Sequence, residues 1–179
     1  MAQRIHILGA SGCGVTTLGR AVADSSAWPY HDTDDFYWQP TDPPFRAKRP
    51  PHDRLRRLFD ALMTSERWIL GGALDGWGDA LIGRFDLVVF LEAPTDLRLA
   101  RLRNREQLRF GDRVADRGDM HEHHERFIAW ADAYETVSTG ANRSRARHEA
   151  WLSELPCRIL RLDARQSIES LSRDVQAAL

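Results

Sequence analysis

The feature that most restricts the fold lies near the start of the chain. The apolar run Ile5-His6-Ile7-Leu8 leads into the glycine-rich stretch Gly9-Ala10-Ser11-Gly12-Cys13-Gly14-Val15-Thr16-Thr17, and then into LGRAVA. A buried strand over Arg4 to Leu8, a tight loop and a helix from about Val15 to Asp24 satisfy this pattern, with Leu18 and Val22 on the helix's apolar face. Glycines in such a loop let successive backbone N–H groups turn inward on an anion, and the positive end of the following helix adds to the attraction. From Gly9 to Thr16 the spacing G-x-x-x-x-G-x-T is that of a phosphate-binding loop, with Thr16 at the position whose hydroxyl ligates Mg²⁺. Where that motif carries its lysine, this chain has Val15.

A dinucleotide fingerprint also sits between a first strand and a helix, with an acidic residue after the second strand. Here G-x-G-x-x-G counted from Gly12 requires glycine where Thr17 stands, and a variant counted from Gly9 requires one at Val15. Phosphate binding is the better match to the loop.

Downstream, Pro29-Tyr30-His31 reads as a short strand that ends in the acidic cluster Asp32-Thr33-Asp34-Asp35. The proline-rich segment Gln39 to Pro51, with Arg46, Lys48 and Arg49, reads as a loop. Leu55, Leu58, Phe59 and Leu62 have helical spacing. Trp68-Ile69-Leu70, ending at Gly71-Gly72, predicts a third strand. Leu87 to Leu91 is an unbroken apolar run of the kind parallel sheets use. A helix follows, with Thr95 expected as its cap. Arg158 to Leu162 predicts a last strand, and Ile168, Leu171, Val175 and Leu179 a closing helix. Strands separated by helices point to an α/β three-layer domain with a parallel sheet. Residues 1–179 are expected to form a single domain, interrupted by an insert at about 36–66 and a helical, polar lid at about 104–155.

The charges, 25 basic against 26 acidic, give no general attraction to nucleic acid or membrane. Two distant cysteines, Cys13 and Cys157, make no disulfide framework. With no signal peptide or membrane span legible, a cytoplasmic location is expected. The charge set is unusual in kind, since Lys48 is the sole lysine.

GASGCGVTTLGRAVA, HDTDDFYW, WILGG and DLVVFLEAP with its arginine-rich helix follow one another in an informative order. In this order the chain resembles the adenylate kinase and shikimate kinase branch of P-loop kinases, near the small bacterial adenylate-kinase-like ATPases known as DNA topology modulation proteins. The resemblance implies a five-stranded parallel sheet ordered 2-3-1-4-5, with ATP and Mg²⁺ as cofactors. It also implies a nucleotide and a small-molecule acceptor as partners, without nucleic acid or membrane; oligomeric state stays open. In the shikimate-kinase-like members a D-x-D after strand two organises Mg²⁺ water and holds the acceptor hydroxyl, and the matching residues are Asp32 and Asp34. Gly71 and Gly72 match the place where relatives bring backbone close to the acceptor; a bend at the strand's end explains them equally.

Arg98, Arg101, Arg105 and Arg109, spaced by 3, 4 and 4, project from one helix face. In relatives, arginines of this helix close over the transferring phosphate, which makes Arg101 and Arg105 the leading candidates. Neutralisation of that face by Glu106 and Asp112 is the competing reading. Arg143, Arg145 and Arg147 form a second basic set on the lid. His121, His123 and His124 lack a further metal ligand nearby and read as a lid face.

Valine cannot supply the motif's cation at the β- and γ-phosphates. Lys48, Arg46 and Arg49 are candidates to replace it if the insert folds over the loop. The expected activity is transfer of the γ-phosphoryl group of Mg·ATP to a hydroxylated metabolite, nucleoside or nucleoside monophosphate. The alternatives are a nucleotide-binding sensor with little chemistry and, in a different class, a dinucleotide-binding oxidoreductase.

Overall fold

In the computed structural model, which describes residues 2–138 and 143–179, five strands form one all-parallel sheet. Strand β1 (Arg4–Gly9) lies at its centre between β3 (Trp68–Gly71) and β4 (Leu87–Glu92), with β2 (Tyr30–Asp32) and β5 (Arg158–Asp163) at the edges. The order 2-3-1-4-5 matches the expectation and differs from the 3-2-1-4-5 order of dinucleotide-binding sheets.

Side-chain alternation divides the core into two layers. Ile5, Ile7, Val89 and Leu91 pack beneath α1 (Val15–Ser26) and α7 (Ile168–Gln176). Leu8, Val88 and Phe90 pack on the other face, beneath α3 (Pro51–Leu62) and α6 (Arg145–Ser153). Because both faces are covered, β1 and β4 carry apolar side chains on both sides, which is why they read as unbroken runs.

Three local assignments differ from the sequence expectation. β2 extends through Asp32, and that side chain accepts a hydrogen bond from the Asp34 amide, so the acidic cluster opens a helix, α2 (Thr33–Tyr37). Carboxylates are favoured at helix N-termini, which explains the cluster locally. Thr95 is the first residue of α4 (Thr95–Phe110) rather than its cap, and its hydroxyl instead accepts from Arg98. Inside the proline-rich loop, the Gln39 amide donates to Ala47 and the Arg49 amide to Tyr37, forming a small clasp.

The span expected as a lid contains α5 (His121–Asp132) and α6, and its residues 139–142 lie outside the described residues. Tyr134 from this span enters the α1 and α7 layer, and Trp151 and Leu152 enter the other. The span is therefore joined to the sheet by apolar packing. Among the described residues, no helix is long and apolar enough to cross a membrane.

Candidate active site

The site is built at the carboxyl ends of the strands, where β1 runs into the glycine loop. Gly12 and Gly14 have φ of 88° and 95°, a left-handed conformation that other residues rarely adopt. A Cβ at Gly9 would lie 2.5 Å from the Leu91 carbonyl oxygen, and one at Gly12 would lie 2.5 Å from that of Arg98. The loop is thus pressed against β4 and α4, and glycine is what fits there. Helix α1 starts from Gly14 with no side-chain cap and no acidic residue in its first turn. Its leading N–H groups thus have no side-chain cap from the helix itself, as an anion site requires. Val15 is partly buried and packs against the core beneath α1. Cys13 is buried, and burial pushes its thiol up to about 11, so it stays protonated packing material.

At the head of α1, the Thr16 hydroxyl donates to Asp32 Oδ2 at 3.0 Å. Tyr30 donates to the same oxygen at 3.2 Å, while Asp32 Oδ1 accepts the Asp34 amide. The Tyr30 phenol is pushed up first by burial and then by Asp32, which keeps it a donor. Its ring occupies space made by glycines: a Cβ at Gly19 would lie 2.3 Å from Tyr30 Cε2, and one at Gly71 2.3 Å from its hydroxyl. Gly72, at φ 114°, is held similarly close to Thr33. Gly71 and Gly72 therefore admit Tyr30 and Thr33 against the end of β3.

Asp34 is accessible to solvent but crowded by protein. Desolvation raises its pKa, Arg143 opposes the shift, and Asp32 and Asp35 add to it. Arg143 precedes α6 and reaches into the loop, donating from Nη1 to Ser11 Oγ at 3.2 Å. Its guanidinium lies 5.4 Å from the centre of the Trp130 ring. Beneath the loop, Arg98 is fully buried and donates to Ala131 O at 3.2 Å, Ser11 O at 3.4 Å and Thr95 Oγ1 at 2.9 Å. No carboxylate pairs with Arg98 or Arg143 among the described residues. Two cations without carboxylate partners converge on one loop residue, Ser11.

A buried polar group anchors the same region from the β3 side. Asp75 pairs with Arg147, and its Oδ1 lies 3.7 Å from His148 Nε2. His148 Nδ1 meets the Tyr134 hydroxyl at 2.9 Å. Burial pushes the Asp75 carboxyl up, but His148, Arg143 and Arg147 outweigh it and hold it below the usual carboxylate range.

The other sequence candidates lie elsewhere. Arg101 donates to the Ala164 carbonyl at 2.9 Å, and Arg105 pairs with Glu106 at 2.8 Å. Arg109 sits over Phe45 and Phe110. Lys48 lies against the Tyr37 and Trp38 rings, 5.7 and 6.0 Å from their centres. The charge of Arg46 helps to lower the pKa of Asp119 and of His123. His121 bonds to the Val114 carbonyl, and no cluster of three or more His, Cys, Asp or Glu side chains suits a metal among the described residues. Sequence reasoning missed Tyr30, and no signal in the sequence links it to Asp32 beyond the two-residue spacing on a strand.

The Thr16–Asp32 pair fits Mg²⁺ chemically. Both donors are oxygen, and Mg²⁺ takes one or two protein ligands with waters and substrate phosphates rather than an all-protein cage.

Set beside known proteins, the chain is 44% identical over 163 residues to the uncharacterised protein YqaC of Bacillus subtilis (strain 168), spanning 91% of this chain and 89% of that one. The chain belongs to the YqaC family. A shorter segment of 41 residues is 44% identical to shikimate kinase 2 of Sodalis glossinidius (strain morsitans), covering 23% of this chain and 24% of that enzyme. No protein-family model matches the sequence. Among solved structures, shikimate kinase from Bacteroides thetaiotaomicron superposes with a TM-score of 0.60 at 19% identity, covering 99% of this chain and 98% of the other. Deoxyadenosine kinase from M. mycoides superposes with a TM-score of 0.56 at 11% identity, covering 98% and 97%. The fold is that of the P-loop kinases.

Proposed function

We propose that this chain is an ATP-dependent phosphotransferase that moves the γ-phosphoryl group of Mg·ATP to a small hydroxylated metabolite, nucleoside or nucleoside monophosphate. The observation that carries the reading is the contact of Thr16 with Asp32 at the open head of α1. It joins the loop's hydroxyl to the carboxylate that ends β2, and the pair offers hard oxygen ligands beside an uncapped helix end. Bound there, Mg²⁺ would neutralise charge on the β- and γ-phosphates.

In this reading, backbone N–H groups from Gly9 to Thr17 hold the phosphates. Tyr30 orients Asp32 through its hydroxyl. Asp34 accepts the proton of the acceptor, and its raised pKa makes it a better base for that step than an ordinary carboxylate. Gly71 and Gly72 shape the acceptor's edge by admitting Tyr30 and Thr33. Arg46, Arg101, Arg105 and Lys48 would have to leave their present neighbours to reach a phosphate, and their alanine variants test that movement. The test of the function is transfer from ATP to a panel of hydroxylated and nucleotide acceptors, with and without Mg²⁺. Transfer that disappears in Asp34→Ala is the expected result; Mg·ATP binding without transfer to any acceptor would contradict it.

Val15 favours a second reading, a nucleotide-binding sensor that does little chemistry. A steady phosphate-transfer rate abolished by Thr16→Ala would exclude it.

A further inference from the structure

Val15 leaves the loop without a cation of its own, and its side chain is committed to the core. A triphosphate held by backbone amides alone carries several negative charges against one helix end. Phosphoryl transfer needs a cation beside the transferring group, and an arginine supplied from another part of the same chain can provide it.

We propose that Arg143 takes the place of the missing lysine and contacts the terminal phosphates of the bound nucleotide. The inference rests on the nucleotide reading above. Among the described cations, Arg143 alone donates to a side chain within the loop, Ser11 Oγ at 3.2 Å. It has no carboxylate partner among the described residues, whereas Arg145 pairs with Glu92, Glu135 and Glu149. Its position is fixed from behind. The next residue, Ser144, is fully buried, caps α6 by accepting from the Arg147 amide, and donates to the Ser138 carbonyl. The charge of Arg143 lowers the pKa of both Asp34 and Asp75, against the desolvation that raises them.

The transfer step balances without a covalent role for Arg143. The acceptor O–H gives its proton to the Asp34 carboxylate, the acceptor oxygen bonds to the γ-phosphorus, and the bond to the bridging oxygen breaks with its electron pair remaining on ADP. Arg143 faces the phosphoryl oxygens throughout, where a guanidinium fork suits two oxygens at once. Arg98, buried beneath Ser11, is a positioning residue that holds the loop from below.

The test compares wild type with Arg143→Met, Arg143→Lys, Val15→Lys and Val15→Lys/Arg143→Met, each checked for folding by circular dichroism and thermal melting. Binding of inorganic triphosphate and of AMP is titrated, and kcat is measured wherever transfer occurs. Arg143→Met is expected to weaken triphosphate at least tenfold, leave AMP within about threefold, and lower kcat about 10²- to 10³-fold. Arg143→Lys should fall between it and wild type, and the double variant should regain at least tenfold of the lost affinity. If Arg143→Met folds and binds triphosphate as tightly as wild type, the inference is overturned. If wild type binds triphosphate but transfers nothing, the kinase reading fails, and the binding comparison still decides the role of Arg143. Wild type that binds neither ATP nor triphosphate overturns both.

Discussion

The arginines of α4 and the arginine before α6 differ in what already holds them. On α4, Arg98, Arg101 and Arg105 each have a partner: backbone carbonyls and Thr95, the Ala164 carbonyl, and Glu106. Before α6, Arg143 has an aromatic ring behind it and a loop hydroxyl in front. Helical spacing puts side chains on one face, but packing decides whether that face is open. Regular spacing made the α4 set conspicuous in the sequence. Arg143 comes from an irregular segment and has no periodic signal.

The comparison can be broken most forcefully through Asp34, whose raised pKa Arg143 opposes. Asp34→Asn should lower transfer about 10²- to 10⁴-fold, the range of a lost general base. The same change should raise the melting temperature slightly. A carboxyl whose folded-state pKa is raised opposes folding at pH values above that pKa, and the neutral amide removes the opposition. Melting curves that fall alongside activity would instead mark Asp34 as structural. The pH profile of kcat for wild type should have an acid limb above the ordinary carboxylate range.

Stability separates the two sides next. His6 is buried against Phe85 and Trp151 of the α6 layer, and desolvation lowers its pKa to about 4. The unfolded chain takes up this proton near pH 6.5 and the folded chain does not until about pH 4. The stability present above pH 6.5 is therefore lost as pH falls toward 4, by up to about 3 kcal/mol. Hydrogen exchange at pH 4.5 and pH 7 should show α6 loosening before α4. Uniform loosening would remove this distinction.

Arg98→Met removes donors from buried carbonyls and should cost about 3 kcal/mol in denaturant unfolding, with weaker triphosphate binding. Arg105→Ala removes a half-exposed guanidinium but leaves the buried Glu106 carboxylate without it, so a loss of about 1–3 kcal/mol and a kcat within about threefold of wild type are expected. A hundredfold loss of kcat there would show that Arg105 leaves Glu106 during the reaction and would reverse the contrast between the two groups. Tyr30→Phe should lose about 1 kcal/mol in stability, with Mg²⁺ affinity about tenfold weaker.

Much of the fold was legible because its signals are local. The glycine spacing, the apolar runs of β1 and β4, and the resemblance in element order led to a 2-3-1-4-5 sheet. Thr16 and Asp32 are each legible as Mg²⁺ candidates, one from the loop motif and the other from the resemblance, but their hydrogen bond to each other is not. Other features depend on contacts distant in sequence. Arg98 is as polar as Arg105 in the sequence, yet it is buried because α4 lies under the loop. Tyr30 meets Asp32 because Gly19 and Gly71, on different elements, leave room for its ring. Lys48 was a reasonable substitute for a missing lysine, but the clasp between Tyr37 and Arg49 holds it against aromatic rings. In each case the deciding neighbour is distant in sequence, so local spacing does not reveal the arrangement.

The central claim is that the glycine loop and the Thr16–Asp32 pair together hold a Mg·nucleotide. Calorimetric titration of ATP into wild type and Thr16→Ala, each with and without Mg²⁺, tests it most directly. The prediction is that Mg²⁺ strengthens ATP binding at least tenfold in wild type and leaves it nearly unchanged in Thr16→Ala. ATP binding indifferent to Mg²⁺ in wild type, or an equal Mg²⁺ effect in both proteins, would contradict it.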